Sequence, residues 1–127
     1  MPIVFGIHVV KLNEGITTEF FEEFVTEEFL PALPLESTPG VKVYLLKGDR
    51  GDSIHKYIRM FEFDSVETRD RYFPEPTAIS PGLAKLMAPL RELSQTWTAA
   101  SRRTKTDYVV LVQSGKPSSG AYVRNCR

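Results

Sequence analysis

The sequence predicts an α+β protein, an antiparallel sheet with helices on one face, in the order strand, helix, strand, strand, helix, strand. Three observations carry that prediction. Ile3 to Leu12 (IVFGIHVVKL) is apolar on both alternating faces, as a strand in the middle of a sheet must be. Phe20, Phe21, Phe24, Val25, Phe29 and Leu33 recur at three- and four-residue steps, the spacing of an amphipathic helix. Ser53 to Phe73 (SIHKYIRMFEFDSVETRDRYF) reads as one long strand that turns at Asp64-Ser65 into a helix with Glu67 in its first turn.

The elements follow in order. Asn13-Glu14-Gly15 is a turn after the first strand, and Thr17 or Thr18 caps the first helix. Pro31 and Pro34 are expected to end that helix, because proline removes a donor and collides with the preceding turn. Val41 to Lys47 is a second strand, and Gly48-Asp49-Arg50-Gly51-Asp52 a hairpin loop. Ser65 caps a helix over Val66 to Phe73, and Pro74-Glu75-Pro76 breaks it. Ser80-Pro81 starts a third helix with Leu83, Leu86, Met87, Leu90 and Leu93 as its buried stripe and Pro89 as a kink. Trp97 to Arg103 and Tyr108 to Gln113 are strand candidates divided by Lys105-Thr106-Asp107. The order is that of a ferredoxin-like sheet with an extra C-terminal strand. Residues 1–113 form one domain. Residues 114–127, polar and without periodicity, read as a tail or an arm that binds a neighbouring chain.

Helices on one face leave the other apolar face of the first strand open. A patch of that kind marks an interface, and two sheets paired face to face in a homodimer would cover it. Composition sets further bounds. Lysine plus arginine is 16 and aspartate plus glutamate is 16, so the net charge is zero and nothing favours nucleic acid as a partner. The single cysteine, Cys126, has no internal partner for a disulfide. No signal peptide and no apolar run of membrane length is visible, so a cytoplasmic location is expected.

The chain resembles the dimeric α+β barrel superfamily over roughly Ile3 to Val112. The resemblance rests on GIHVVKL, the phenylalanine-rich first helix, PGVKVYLLKG and YIRMFEFDSVETRDRYF. It is similar to the antibiotic-biosynthesis-monooxygenase-like, Dabb-like and EthD-like branches without selecting one. The resemblance implies a homodimer whose sheets close a shared barrel, with a pocket between sheet and helices for a small hydrophobic or aromatic molecule or haem. Polyketide-cyclase members of the Dabb-like branch use histidines on the first and third strands and tyrosines from the helices. Here His8 lies on the same face as the matching position, which holds Gly6. Tyr57 occupies the matching place on the third strand, with His55 one pair earlier, and Tyr72 lies in the corresponding helix.

The candidate catalytic residues are therefore His8, His55, Tyr57, Arg59 and Tyr72. Antiparallel pairing of the first and third strands sets His8 beside Tyr57 or Arg59. A neutral histidine could remove a proton from a carbon acid or phenol, and Tyr57 or Arg59 could hold the resulting oxyanion. Phe20, Phe24, Phe61 and Trp97 are candidate pocket residues, although a helical phenylalanine stripe is also ordinary core. Arg59, a charge in mid-strand, must be paired or reach water. No Cys/His spacing indicates a metal site, and no resident cofactor is expected, with haem ligation by His8 or His55 a lesser option. Arg50-Gly51-Asp52 matches the integrin tripeptide but serves as loop chemistry in a hairpin. Two functions follow: a cofactor-independent monooxygenase or cyclase-type enzyme with a histidine base, or a non-catalytic dimeric assembly module.

Overall fold

The computed structural model describes residues 2–115. Its elements are β1 (Val4–Leu12), α1 (Thr18–Phe24), α2 (Leu30–Ala32), β2 (Val41–Lys47), β3 (Tyr57–Phe63), α3 (Val66–Tyr72), α4 (Pro81–Met87), α5 (Arg91–Ala100) and β4 (Ser101–Val109). The sheet order is β2-β3-β1-β4, all antiparallel, so the ferredoxin-like fold expected from the element order is present.

Register places the site. Val4 pairs with Phe63, Gly6 with Phe61, His8 with Arg59 and Val10 with Tyr57. On the other side of β1, Gly6 pairs with Asp107, His8 with Lys105 and Val10 with Arg103. Side chains alternate along strands. His8, Arg59, Lys105, Phe61 and Arg103 therefore share the face beneath the helices. Val4, His8, Val10, Tyr57 and Phe63 on that face are buried. Phe5, Ile7, Val9, Tyr44, Leu46, Ile58, Met60 and Tyr108 occupy the opposite face, where Val9, Leu46 and Tyr108 are 43%, 41% and 56% exposed.

Thr17 caps α1 by accepting from the Phe20 amide at 3.0 Å. The helix then widens into a π turn over Val25–Phe29 before α2. Pro31 does not end it. The wide turn lies directly before Pro31, where a regular α turn would drive the ring against the carbonyl of residue 27. Pro34 does end it, because the residue before a proline is forced extended, and Leu33 sits at φ −65°, ψ 137°. Phe21, Phe24, Val25 and Phe29 from this segment form the core with Val10, Tyr57 and Trp97. Ser65 and Ser80 cap α3 and α4 as the sequence predicts, accepting from the Thr68 and Leu83 amides.

Three further expectations are corrected. The long strand begins at Tyr57, not Ser53. Gly48 donates to the Lys56 carbonyl and His55 to the Gly48 carbonyl, which closes a hairpin loop over the residues between. A Cβ on Gly48 would lie 1.9 Å from the Ser53 carbonyl oxygen, so glycine is required there. Next, the kink near Pro89 is a 3₁₀ turn (Ala88–Leu90), after which the helix resumes through Ala100. Trp97 thus belongs to a helix: it falls four residues after Leu93 and continues the apolar stripe. Finally, one strand, Ser101–Val109, joins the end of the first C-terminal strand candidate to the start of the second, and Lys105-Thr106-Asp107 lies inside it rather than dividing it. No fifth strand occurs among the described residues. The proposed arm from Ser114 falls almost wholly outside them.

Candidate functional site

A cavity of about 770 Å³ lies between the sheet and the helices. Aromatic side chains come to it from four elements: Phe29 from the π turn, Phe61 and Phe63 from β3, Tyr72 from α3 and Trp97 from α5. Phe73, at the end of α3, packs on both Phe61 and Phe63 with centroids 5.7 Å away. Phe29 stacks on Trp97 at 5.3 Å with ring planes 5° apart. The π turn and the restart of the helix after Pro89 are what bring those two rings together.

One end of the cavity is cationic, while Arg69, Asp70, Glu75 and Asp107 also line it. Arg59 donates from Nη2 to His8 Nδ1 at 3.0 Å. A guanidinium has no acceptor, so Nδ1 must accept, and the histidine is the Nε2–H tautomer. The Arg59 guanidinium carbon lies 4.6 Å from the Trp97 ring centre and 5.1 Å from that of Phe61. Arg103 lies 5.2 Å from Trp97. Lys105 is opposite His8 on β4. Arg59 Nε, Arg103 Nε and Trp97 Nε1 are buried without a hydrogen-bond partner among the described residues.

These groups shift one another. Burial, then the charges of Arg59, Lys105 and Arg103, holds the His8 pKa down at about 3, so the ring is neutral near pH 7. Burial, then the Arg103 charge, lowers Arg59 to about 9. Burial also lowers Arg103, and burial followed by its two arginine neighbours lowers Lys105. The carboxylates bordering this cluster are engaged elsewhere: Arg69 bonds Asp107 at 2.6 Å and Asp70 at 2.7 Å. Gly6 makes room for that arrangement, since a Cβ there would stand 3.1 Å from the Asp107 carboxylate.

The sequence-predicted residues divide clearly. His8, Arg59, Tyr72, Phe61 and Trp97 line the cavity. Tyr57, Phe20, Phe24 and His55 do not. Tyr57 packs on Phe21 at 4.9 Å, and its hydroxyl donates to Glu22, which also accepts from Lys47 at 2.8 Å. Burial and then the Glu22 bond raise the Tyr57 pKa, and the Lys47 and Tyr57 bonds lower that of Glu22. Phe24 is core, while Phe20 is 45% exposed and stacks on Phe24. His55 sits in the hairpin loop at φ 67°, exposed, and shares no site with His8. Arg103 and Lys105 were not singled out from the sequence. Their signal was the alternation Ser101, Arg103, Lys105, Asp107, hidden because its inward positions are polar. Among the described residues, no three His, Cys, Asp or Glu side chains gather as a metal site requires.

Comparison with known proteins places the fold alone. The chain is similar to a dimeric protein of unknown function and ferredoxin-like fold from Bacteroides fragilis, at 17% identity and a TM-score of 0.50, covering 85% of this chain and 96% of that one. It is also similar to a hypothetical Arabidopsis thaliana protein solved in solution, at 14% identity and a TM-score of 0.54, covering 90% and 93%. No protein-family model and no curated protein matches it. The fold that the superfamily resemblance implied is thus found, while its branches are not distinguished. No helix among the described residues is long and apolar enough to cross a membrane.

Proposed function

We propose that the protein binds a small hydrophobic or aromatic molecule in the cavity between sheet and helices, and does so as a homodimer. The observation that carries this reading is the cavity itself. Its volume of about 770 Å³ falls in the range of small-molecule sites, with aromatic walls and a few convergent polar groups. Self-association is supported by the apolar outer face of the sheet and by the dimeric description of the Bacteroides fragilis protein.

On this reading His8 is the proton acceptor of a cofactor-independent monooxygenase or cyclase-type reaction once a bound anion offsets the cations that hold its pKa near 3, and Arg59 holds the developing oxyanion. Its tautomer leaves Nδ1 facing Arg59, so proton transfer needs that bond to yield to substrate. The placement of Tyr57 and His55 outside the cavity favours a second reading, binding without catalysis. A thermal-shift and Trp97-fluorescence screen against phenolic and polyketide-like compounds tests the common part. Binding that stabilises the protein, quenches Trp97 and is lost in His8→Ala supports the pocket. A screen in which no compound does either overturns it. Turnover that vanishes in His8→Ala, followed by product chromatography, separates the enzyme from the binder.

A further inference from the structure

We infer that the cavity ligand carries an oxyanion on its apolar body, seated against Arg59, Arg103 and Lys105. This rests on the pocket reading and names the chemistry that the pocket selects.

Three cationic side chains line one end of the cavity from β3 and β4, Arg59 and Arg103 at least partly buried and Lys105 exposed at its mouth. None forms a salt bridge among the described residues, where the ion pairs are Lys47–Glu22, Arg69–Asp70 and Arg69–Asp107. Arg59 is the most buried, stacked on two rings, with a neutral histidine as its only side-chain hydrogen-bond partner among the described residues. Burying charge without a counter-charge is costly, and proteins ordinarily supply a carboxylate on a neighbouring position. Here the nearby carboxylates, Asp70 and Asp107, are both held by Arg69, and Glu75 lines the cavity without a salt bridge to any of the three.

Donors point the same way. Arg59 Nε, Arg103 Nε and Trp97 Nε1 are buried N–H groups that no acceptor among the described residues receives. All three belong to side chains packed together, since both guanidinium groups lie over the Trp97 ring. An oxyanion offers several lone pairs and a full charge in a small volume, which is what such a cluster lacks. A neutral hydroxyl could take one of these hydrogen bonds but would leave the charges unbalanced. The remaining cavity, walled by Phe29, Phe61, Phe73 and Leu83, fits an apolar body. The selected class is therefore an amphiphilic organic anion, with carboxylate and phosphate ester as the two sources of the same chemistry.

Calorimetric titration with 2-naphthylacetate, 2-naphthyl phosphate and 2-naphthaleneethanol tests this directly. The three share an aromatic body and differ in the head. The expected result is that at least one anion binds tenfold or more tighter than the alcohol, the tighter anion identifying the head group. That preference should fall several-fold in Arg103→Gln and in Lys105→Gln while alcohol binding is retained. These two positions lie on the edge strand, so they remain informative if Arg59→Gln does not fold. Equal binding of alcohol and anions, or a preference unchanged in both variants, overturns the inference and leaves the pocket standing. Binding of none of the three, together with a silent compound screen, overturns the pocket reading itself.

Discussion

Replacing Arg59 by methionine should make the free protein more stable. The guanidinium is buried between Trp97 and Phe61 and beside Arg103, with no carboxylate partner among the described residues. Burial, then the Arg103 charge, lowers its pKa to about 9 from an ordinary 12.5. At about 1.4 kcal/mol per tenfold change, holding the charge there costs roughly 5 kcal/mol. Against this stand two cation–π contacts, each about 1 kcal/mol, and the bond to His8, about 1 kcal/mol more. Methionine keeps the apolar stem and can place sulfur against the same rings. The net expectation is a gain of about 1–2 kcal/mol, read as a rise of several degrees in Tm for a domain of this size. Calorimetry of the two proteins at neutral pH, backed by urea melts with unchanged slope, measures it. A loss of more than about 1 kcal/mol in Arg59→Met would refute the reasoning, since it would mean that the charge is already compensated. The same variant should lose the preference for anions, so stability and binding are expected to move in opposite directions.

Other predictions address separate parts of the molecule. Phe21 is fully buried and touches Tyr57 and Trp97, so Phe21→Ala should cost about 3–5 kcal/mol in chemical denaturation. His8 has a folded-state pKa of about 3 against 6.5 for an ordinary histidine, so the unfolded chain binds the proton first. Its contribution to stability is full above about pH 6.5 and is lost as pH falls towards 3. The slope in that window should reach at most about 1.4 kcal/mol per pH unit, and it should flatten in His8→Gln in melts run across the window. Ile7 lies on the outer sheet face, so Ile7→Glu should convert the expected dimer to a folded monomer in sedimentation velocity, with the circular dichroism spectrum unchanged. A monomeric parent protein at micromolar concentration would remove the dimer.

Much of the fold was legible because the sequence marks it locally. The two-sided apolar pattern of β1 places it centrally, and the serine caps at Ser65 and Ser80 begin their helices where hydroxyls accept amides. Strand order placed His8 beside Tyr57 or Arg59, and the register selects Arg59. What failed did so for physical reasons. Trp97-Thr98 has strand propensity, yet the stripe Leu90, Leu93, Trp97, Ala100 keeps the helix going, so tertiary packing overrides local preference. β4 turns polar residues inward because they face a cavity and not a packed core, which conceals its periodicity. His55 fits the alternation of β3 but occupies a left-handed turn, a backbone choice that pattern does not reveal. The candidate site was half legible: its β1 and β3 members were found, and its β4 cations were not.

The most direct measurement is a crystal structure of the protein with 2-naphthylacetate bound. The ring should lie in the cavity against Trp97 and Phe61, with the carboxylate within hydrogen-bonding distance of Arg59 or Arg103 and His8 beside it. A ligand lodged on the outer sheet face, or a cavity closed by its own side chains at saturating ligand, would show that this space is not a binding site.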